Sequence, residues 1–66
     1  MRVTINGVER ELPGPRTVGQ LLDDLDLPVV RVAVEVNYEL VNRGEYDSAP
    51  ICDGDRIEIV TFVGGG

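Results

Sequence analysis

The 66-residue sequence contains no histidine and no tryptophan, and Cys52 is its single cysteine. Without histidine, no imidazole can act as a general base or as a metal ligand. One cysteine can form neither an intrachain disulfide nor a multi-cysteine zinc or iron–sulfur site. These shortages exclude the most common kinds of catalytic and metal centre, so the function has to rest on other chemistry.

Basic residues are also scarce, with six Lys plus Arg against twelve Asp plus Glu and a net charge of −6 at pH 7. A protein with this charge repels phosphate backbones and anionic lipid surfaces. No apolar run approaches the length of a bilayer crossing, and the first residues lack the apolar segment of a signal peptide. We expect no nucleic-acid or membrane partner and a cytoplasmic location.

The acidic residues fit simple structural roles. Hydrophobic residues make up 42% of the chain and charged residues 27%, as in an ordinary small globular domain. Asp23, Asp24 and Asp26 would lie on the solvated face or end of a helix, and Asp53-Gly54-Asp55 has the composition of a tight turn. A calcium loop needs more oxygen ligands at set spacing. We predict no metal site and no bound cofactor.

The first half of the chain predicts a hairpin followed by a helix. Asn6-Gly7 between two strand-like runs indicates a type I′ turn, which pairs Ile5 with Val8 and continues to Met1 opposite Leu12. The inward position of Arg10 suits an edge strand. The apolar face of this hairpin consists of Met1, Val3, Ile5, Val8 and Leu12.

The helix is predicted from a capping box, formed by Thr17 and Gln20, just after the Pro13-Gly14-Pro15 breaker. Its apolar residues recur at the spacing of one helical face, and Pro28 prevents extension much beyond Asp26. The stripe consists of Val18, Leu21, Leu22 and Leu25.

The second half predicts strands. Residues 30–37 alternate, with Val30, Val32, Val34 and Val36 on one face. Leu40-Val41 is a minor strand, residues 42–50 form a loop with one irregular turn, and residues 56–63 form the last strand. The order predicts an α+β, β-grasp domain: a mixed four- to five-stranded sheet with one main helix, the first and last strands parallel and adjacent, and the second and fourth at the edges.

Three glycines, Gly64, Gly65 and Gly66, follow the last strand. They bury no side chain, so they add nothing to a core, but an extended glycine segment can enter a channel too narrow for other residues. The Gly66 α-carboxylate is then the candidate reactive group. A frayed terminus is the simpler alternative. We expect a β-grasp domain over residues 1–63 and a flexible glycine tail over residues 64–66.

Three segments of the chain carry a resemblance to a known family: Val36-Asn37 with residues 40–43, residues 53–59, and the ending Phe62-Val63-Gly64-Gly65-Gly66. On these segments the chain resembles the ThiS family of sulfur carrier proteins in thiamine biosynthesis, which are ubiquitin-like β-grasp proteins. The resemblance covers essentially the whole length and is most specific in the second half. Family members need the last two glycines, which are Gly65 and Gly66 here.

The resemblance implies that Gly66 is adenylated with ATP by an E1-like adenylyltransferase (ThiF-type). A persulfide sulfur donor or another donor would convert it to a thiocarboxylate, which would pass its sulfur to a thiazole synthase (ThiG-type). The chain would be a carrier and not an enzyme, since it has no Ser, His and Asp grouping and no phosphate-binding glycine loop ahead of a lysine.

Several alternatives stay open. The carrier could serve molybdopterin synthesis or RNA thiolation, or the chain could be a β-grasp binding module with an incidental tail. We expect Val60 and Phe62 to be exposed and, with Val63, to dock partners, because one helix covers only one face of the sheet. Cys52 could handle sulfur, but it is remote from Gly66, and a buried structural cysteine is the favoured interpretation.

Overall fold

Residues 1–62, the part of the chain that this computed structural model describes, contain seven strands and one α-helix, with three strands before the helix and four after it. Two single-turn 3-10 helices, Val29–Arg31 and Arg43–Glu45, lie in the connections. In chain order the elements are β1 (Arg2–Ile5), β2 (Val8–Glu11), β3 (Arg16–Thr17), α1 (Val18–Asp24), β4 (Val32–Val36), β5 (Glu39–Leu40), β6 (Pro50–Ile51) and β7 (Arg56–Thr61).

Five of the strands form one mixed sheet in the order β2-β1-β7-β4-β5. β1 and β7 are parallel neighbours, and the other pairs are antiparallel. The predicted adjacent pair, the first and last strands, is β1 and β7 and is confirmed. The predicted edge strands are also confirmed: the second strand is β2, and the minor strand predicted at Leu40-Val41 is β5. β3 and β6 pair with each other in a separate two-stranded sheet, which the sequence did not predict because two-residue strands have no detectable periodicity.

The first hairpin has the predicted register, from Ile5 opposite Val8 to Arg2 opposite Glu11. Two hydrogen bonds extend it by one step, since the Leu12 N–H donates to the Met1 carbonyl at 2.7 Å and the Met1 amino group donates to the Leu12 carbonyl at 2.8 Å. Val8 differs from expectation. It is exposed, because it lies beside the turn on an edge strand.

Helix α1 begins with the predicted capping box. The Gln20 N–H donates to Thr17 Oγ1 at 3.2 Å, and the Thr17 N–H donates to Gln20 Oε1 at 2.9 Å. Val18, Leu21 and Leu22 are buried, and Leu25 packs against the core at the edge. Each such side chain contributes about 1.5–3 kcal/mol when fully buried, so the helix is held by its apolar stripe.

The core lies between α1 and one face of the sheet, and two of its features correct the sequence analysis. Tyr46, within the segment predicted as a loop, is buried among the apolar side chains. Val30 was predicted to continue the buried face of β4, but it is exposed and belongs to the 3-10 helix Val29–Arg31. Pro28 sets the start of that turn, and the regular alternation begins only at Val32.

Candidate functional site

The candidate site is the C-terminal end of β7, which leads to the glycine segment. β7 pairs with β4 as far as Thr61, opposite Val32, and the Phe62 N–H donates to the Arg31 carbonyl at 2.7 Å. On its other side, the ladder with β1 ends at Ile5 opposite Ile57. The last residues of β7 therefore extend past β1 and have a strand neighbour on one side only within residues 1–62.

Asparagine side chains hold β7 on both sides. Asn6 continues the short β1 ladder, because its Nδ2 donates to the Ile59 carbonyl at 3.0 Å and its Oδ1 accepts from the Ile59 N–H at 2.7 Å. On the other side, Asn37 Oδ1 accepts from the Arg56 N–H at 3.0 Å, and its Nδ2 donates to Asp55 Oδ1 at 2.9 Å. These bonds hold the start and the middle of β7 in place.

The two faces of β7 differ as predicted. Ile57 and Ile59 are buried under α1, whereas Val60 and Phe62 are 58% and 50% exposed. The predicted exposure of Val60 and Phe62 is confirmed, and their role in docking stays a prediction.

The remaining predicted site residues, Val63, Gly64, Gly65 and Gly66, lie outside the described residues.

Cys52 is exposed, so the expectation of a buried cysteine was wrong. It precedes the predicted Asp53-Gly54-Asp55 turn, which the structure contains: Gly54 has a φ of 86°, and the Cys52 N–H donates to Asp55 Oδ2 at 2.8 Å. Cys52 lies outside the core because the residues that follow it form this surface turn. Its backbone N–H thus stabilises the turn.

Neither a metal centre nor a transmembrane helix is found in the described part of the chain. Between Met1 and Phe62, no three His, Cys, Asp or Glu side chains converge closely enough to hold a metal ion. None of the helices there has the length and apolar character needed to cross a bilayer.

Comparison with known proteins identifies the family. Residues 3–66 match the model of the ThiS family, and this range includes the end of β7 and the glycine segment. The chain belongs to the ThiS family. The resemblance inferred from the sequence is thereby confirmed.

A solved structure of the family has the same fold. The thiamine biosynthesis protein ThiS from Geobacter metallireducens is 35% identical, superposes with a TM-score of 0.86, and the match covers 100% of both chains. The predicted β-grasp fold is thus confirmed, and the mixed sheet reaches the upper end of the expected four to five strands.

Curated ThiS relatives differ in length. The sulfur carrier protein ThiS of Bacillus subtilis is 44% identical over 50 residues, which are 76% of each chain. A protein named thiazole synthase from Paramagnetospirillum magneticum is 44% identical over all 66 residues, but the chain spans only 20% of its length. A second thiazole synthase, from Magnetococcus marinus, shows the same 20% coverage. A segment like this ThiS chain thus forms part of longer proteins with that name.

Sequence reasoning missed one exposed feature at the opposite end of β7, beside its first residue, Arg56. Asn37 and Tyr38 form a two-residue turn between β4 and β5, with φ of 52° and 71°. Two positive φ values define a type I′ turn, for which Asn-Gly is the usual signal. Asn37 matches the first residue of this signal, but Tyr38 stands where glycine is usual, so the turn could not be predicted from the sequence.

Proposed function

We propose that this ThiS-family chain is a sulfur carrier for thiazole formation in thiamine biosynthesis. The observation that carries the proposal is the family match over residues 3–66, which includes the glycine segment. The exposed end of β7 supports it, since a partner can approach Val60 and Phe62 without unfolding the sheet. We place the domain boundary after residue 63 and assign residues 64–66 to a tail that enters partner enzymes.

The chemistry centres on the Gly66 carboxylate. A carboxylate is ionised at neutral pH, with a terminal pKa of about 3.5, and its charge makes it a poor electrophile. Attack of a carboxylate oxygen on the α-phosphorus of ATP releases pyrophosphate and forms an acyl adenylate. Sulfide would then displace AMP and leave a thiocarboxylate. A persulfide would give an acyl disulfide, from which a thiol releases the thiocarboxylate.

The chain acts in this scheme as a carrier and not as an enzyme. We assign adenylation to an E1-like, ThiF-type adenylyltransferase, which binds the ATP, and sulfur supply to a persulfide donor. A ThiG-type thiazole synthase accepts the sulfur. The thiazole synthases that contain a ThiS-like segment support this last partner. All three would meet in the cytoplasm.

Intact-mass measurement tests the proposal directly. It requires a free α-carboxylate on Gly66, so the mass of the mature chain is measured first. The chain is then incubated with ATP, sulfide and its adenylyltransferase. We expect the mass increase that corresponds to replacement of one oxygen by sulfur. Absence of this increase would contradict the carrier function and favour a β-grasp binding module.

A glycine substitution tests the narrow-channel role of the tail. Gly65→Val should fold normally but release pyrophosphate far more slowly, because a branched side chain cannot follow glycine into a tight channel. Gly44→Val is the matched control, since a Cβ at Gly44 would meet no atom within 4 Å. Pyrophosphate release by Gly65→Val at the wild-type rate would contradict a narrow channel.

The acceptor distinguishes the thiamine pathway from its relatives. The thiocarboxylate should supply sulfur to a thiazole synthase and not to a molybdopterin synthase large subunit or an RNA-thiolating enzyme. The same charged carrier is offered to each acceptor in parallel reactions. Transfer only to the molybdopterin precursor or to RNA would reassign the pathway and leave the carrier chemistry intact.

A further inference from the structure

The outer face of the sheet, opposite α1, carries two glutamates directly across from each other. Glu35 of β4 pairs with Glu58 of β7, and side chains paired in this way have Cβ atoms about 4.5–5.5 Å apart. Like charges at this separation destabilise a sheet. Arg56 contacts Glu58 at 2.9 Å, whereas Glu35 has no salt bridge within residues 1–62. The arrangement is unfavourable for the free domain.

Apolar side chains surround this glutamate pair. Val60 follows on the same face of β7, Ala33 pairs with Val60, and Leu40 pairs with Glu35. A shallow depression of about 350 Å³ is formed here, which we call the outer-face patch. Its lining residues are Ala33, Glu35, Tyr38, Leu40, Glu58 and Val60.

The openness of the outer-face patch suits an inserted side chain. Small-molecule pockets enclose most of their ligand, whereas this depression lies on an open sheet surface. Leu40 is 71% exposed and Val60 58%. Exposed apolar residues bordered by polar or charged ones mark protein–protein contact surfaces.

Tyr38 stands at the edge of the outer-face patch in an unfavourable conformation. Its φ is 71° and it is 73% exposed. A left-handed backbone costs a non-glycine residue about 1–2 kcal/mol, and the Arg56 guanidinium, 5.2 Å from the ring centroid, returns only about 0.5–1 kcal/mol at such an exposed site. Backbone strain of this kind concentrates at functional sites, and tyrosine is enriched among the residues that dominate binding energy.

Resting on the proposed function, we infer that the outer-face patch receives an arginine or lysine side chain of the thiazole synthase. The aliphatic stem lies against Val60 and Leu40, and the charged head enters between Glu35 and Glu58. A cation is required there, because Arg56 pairs with Glu58 only and burying Glu35 without a partner charge is strongly unfavourable.

Two observations favour the thiazole synthase as the protein that contributes this basic side chain. The patch is continuous with the end of β7 through Val60, so an enzyme that holds the tail also reaches the patch. Proteins named thiazole synthase contain a segment similar to this whole chain, which keeps a ThiS-like domain beside the rest of the protein.

Glutamine substitutions test the inference, because they remove charge with little change in size. Glu35→Gln, Glu58→Gln and the double variant are compared with the wild type for binding to the purified thiazole synthase over a range of NaCl concentrations. Glu9→Gln is the matched control, since Glu9 is an exposed glutamate opposite Thr4 at the far edge of the sheet.

We expect the double variant to bind the synthase at least about tenfold more weakly, with a smaller dependence on salt, and the single variants to show intermediate losses. Glu9→Gln should bind within about twofold of the wild type, because an exposed charge outside the contact contributes little. Thermal unfolding of the double variant should occur at about the wild-type temperature, since the removed repulsion offsets the loss of the Arg56–Glu58 contact.

Three results would overturn the inference. Unchanged synthase binding by the double variant would show that the glutamates receive no cation. An equal loss with Glu9→Gln would show that only net charge matters. A loss of adenylation as large as the loss of synthase binding would assign the patch to the adenylyltransferase instead. Thiocarboxylate formation on the wild type is measured separately by mass, so failure of the carrier function is recognised independently.

Discussion

Two hairpins of the sheet use the same turn with different residues at its second position. The β1–β2 turn is Asn6-Gly7, with φ of 50° and 82°, and the β4–β5 turn is Asn37-Tyr38, with φ of 52° and 71°. Both are type I′ turns, whose twist matches that of the flanking strands. Glycine adopts positive φ without steric cost, whereas tyrosine does not.

The comparison separates a structural position from a variable one. In both hairpins the asparagine at the first position donates and accepts side-chain hydrogen bonds that hold β7 or the turn before it. The second position makes no such bond. Glycine there favours stability, and Tyr38 instead places an exposed aromatic ring beside the outer-face patch.

The largest expected effect is that of Asn6→Ala. The change removes two hydrogen bonds to Ile59 and puts alanine in a left-handed conformation, so the free energy of unfolding should fall by about 2–3 kcal/mol. Urea unfolding measures it. Asn42→Ala is the control, because Asn42 makes no side-chain cap bond. A loss under half of this size would mean that water replaces the bonds at little cost.

Gly7→Val should lower the free energy of unfolding by about 1–2 kcal/mol, because a β-branched residue is poorly tolerated at positive φ. Space is not limiting, since a Cβ at Gly7 would meet no atom within 4 Å. Gly14→Val, which is equally open but has no positive φ, should have a much smaller effect in the same assay. Equal effects at both glycines would remove the conformational explanation.

Asn37→Ala should cost about 1–2 kcal/mol, less than Asn6→Ala, although it also removes two side-chain hydrogen bonds and puts alanine at positive φ. The reason is exposure, because both bonds of Asn37 are at the surface and those of Asn6 are partly buried. Parallel urea titrations of the two variants measure the difference. An equal or larger loss for Asn37→Ala would contradict the explanation that exposed hydrogen bonds contribute less than partly buried ones.

Tyr38→Gly should have the smallest effect and the opposite sign. Relief of the left-handed strain is offset by the entropy of glycine and by the lost contact with Arg56, which leaves a gain of about 0.5 kcal/mol or less. Chemical unfolding measures the gain, and synthase binding on the same sample should weaken. Destabilisation by about 1 kcal/mol or more would instead assign Tyr38 a structural role.

Local patterns were sufficient for much of this protein. Asn6-Gly7 specified the turn and register of the first hairpin, and Thr17 with Gln20 specified the start of α1. These signals could be read because each depends on neighbouring residues and on one favoured backbone conformation. The order of elements then limited the sheet to a few arrangements, and the exposure of Val60 and Phe62 followed from having one helix for two sheet faces.

Other features depended on contacts between distant parts of the chain. Tyr46 is buried and β3 pairs with β6, and neither feature follows from its neighbours in sequence. The Glu35–Glu58 pair arises only when β4 and β7 align, 23 positions apart in numbering. The sequence by itself determined the first hairpin turn, the helix and the order of the five-stranded sheet. Only the tertiary structure decided which surfaces meet, because burial and charge pairing are set by residues that the chain brings together from far apart.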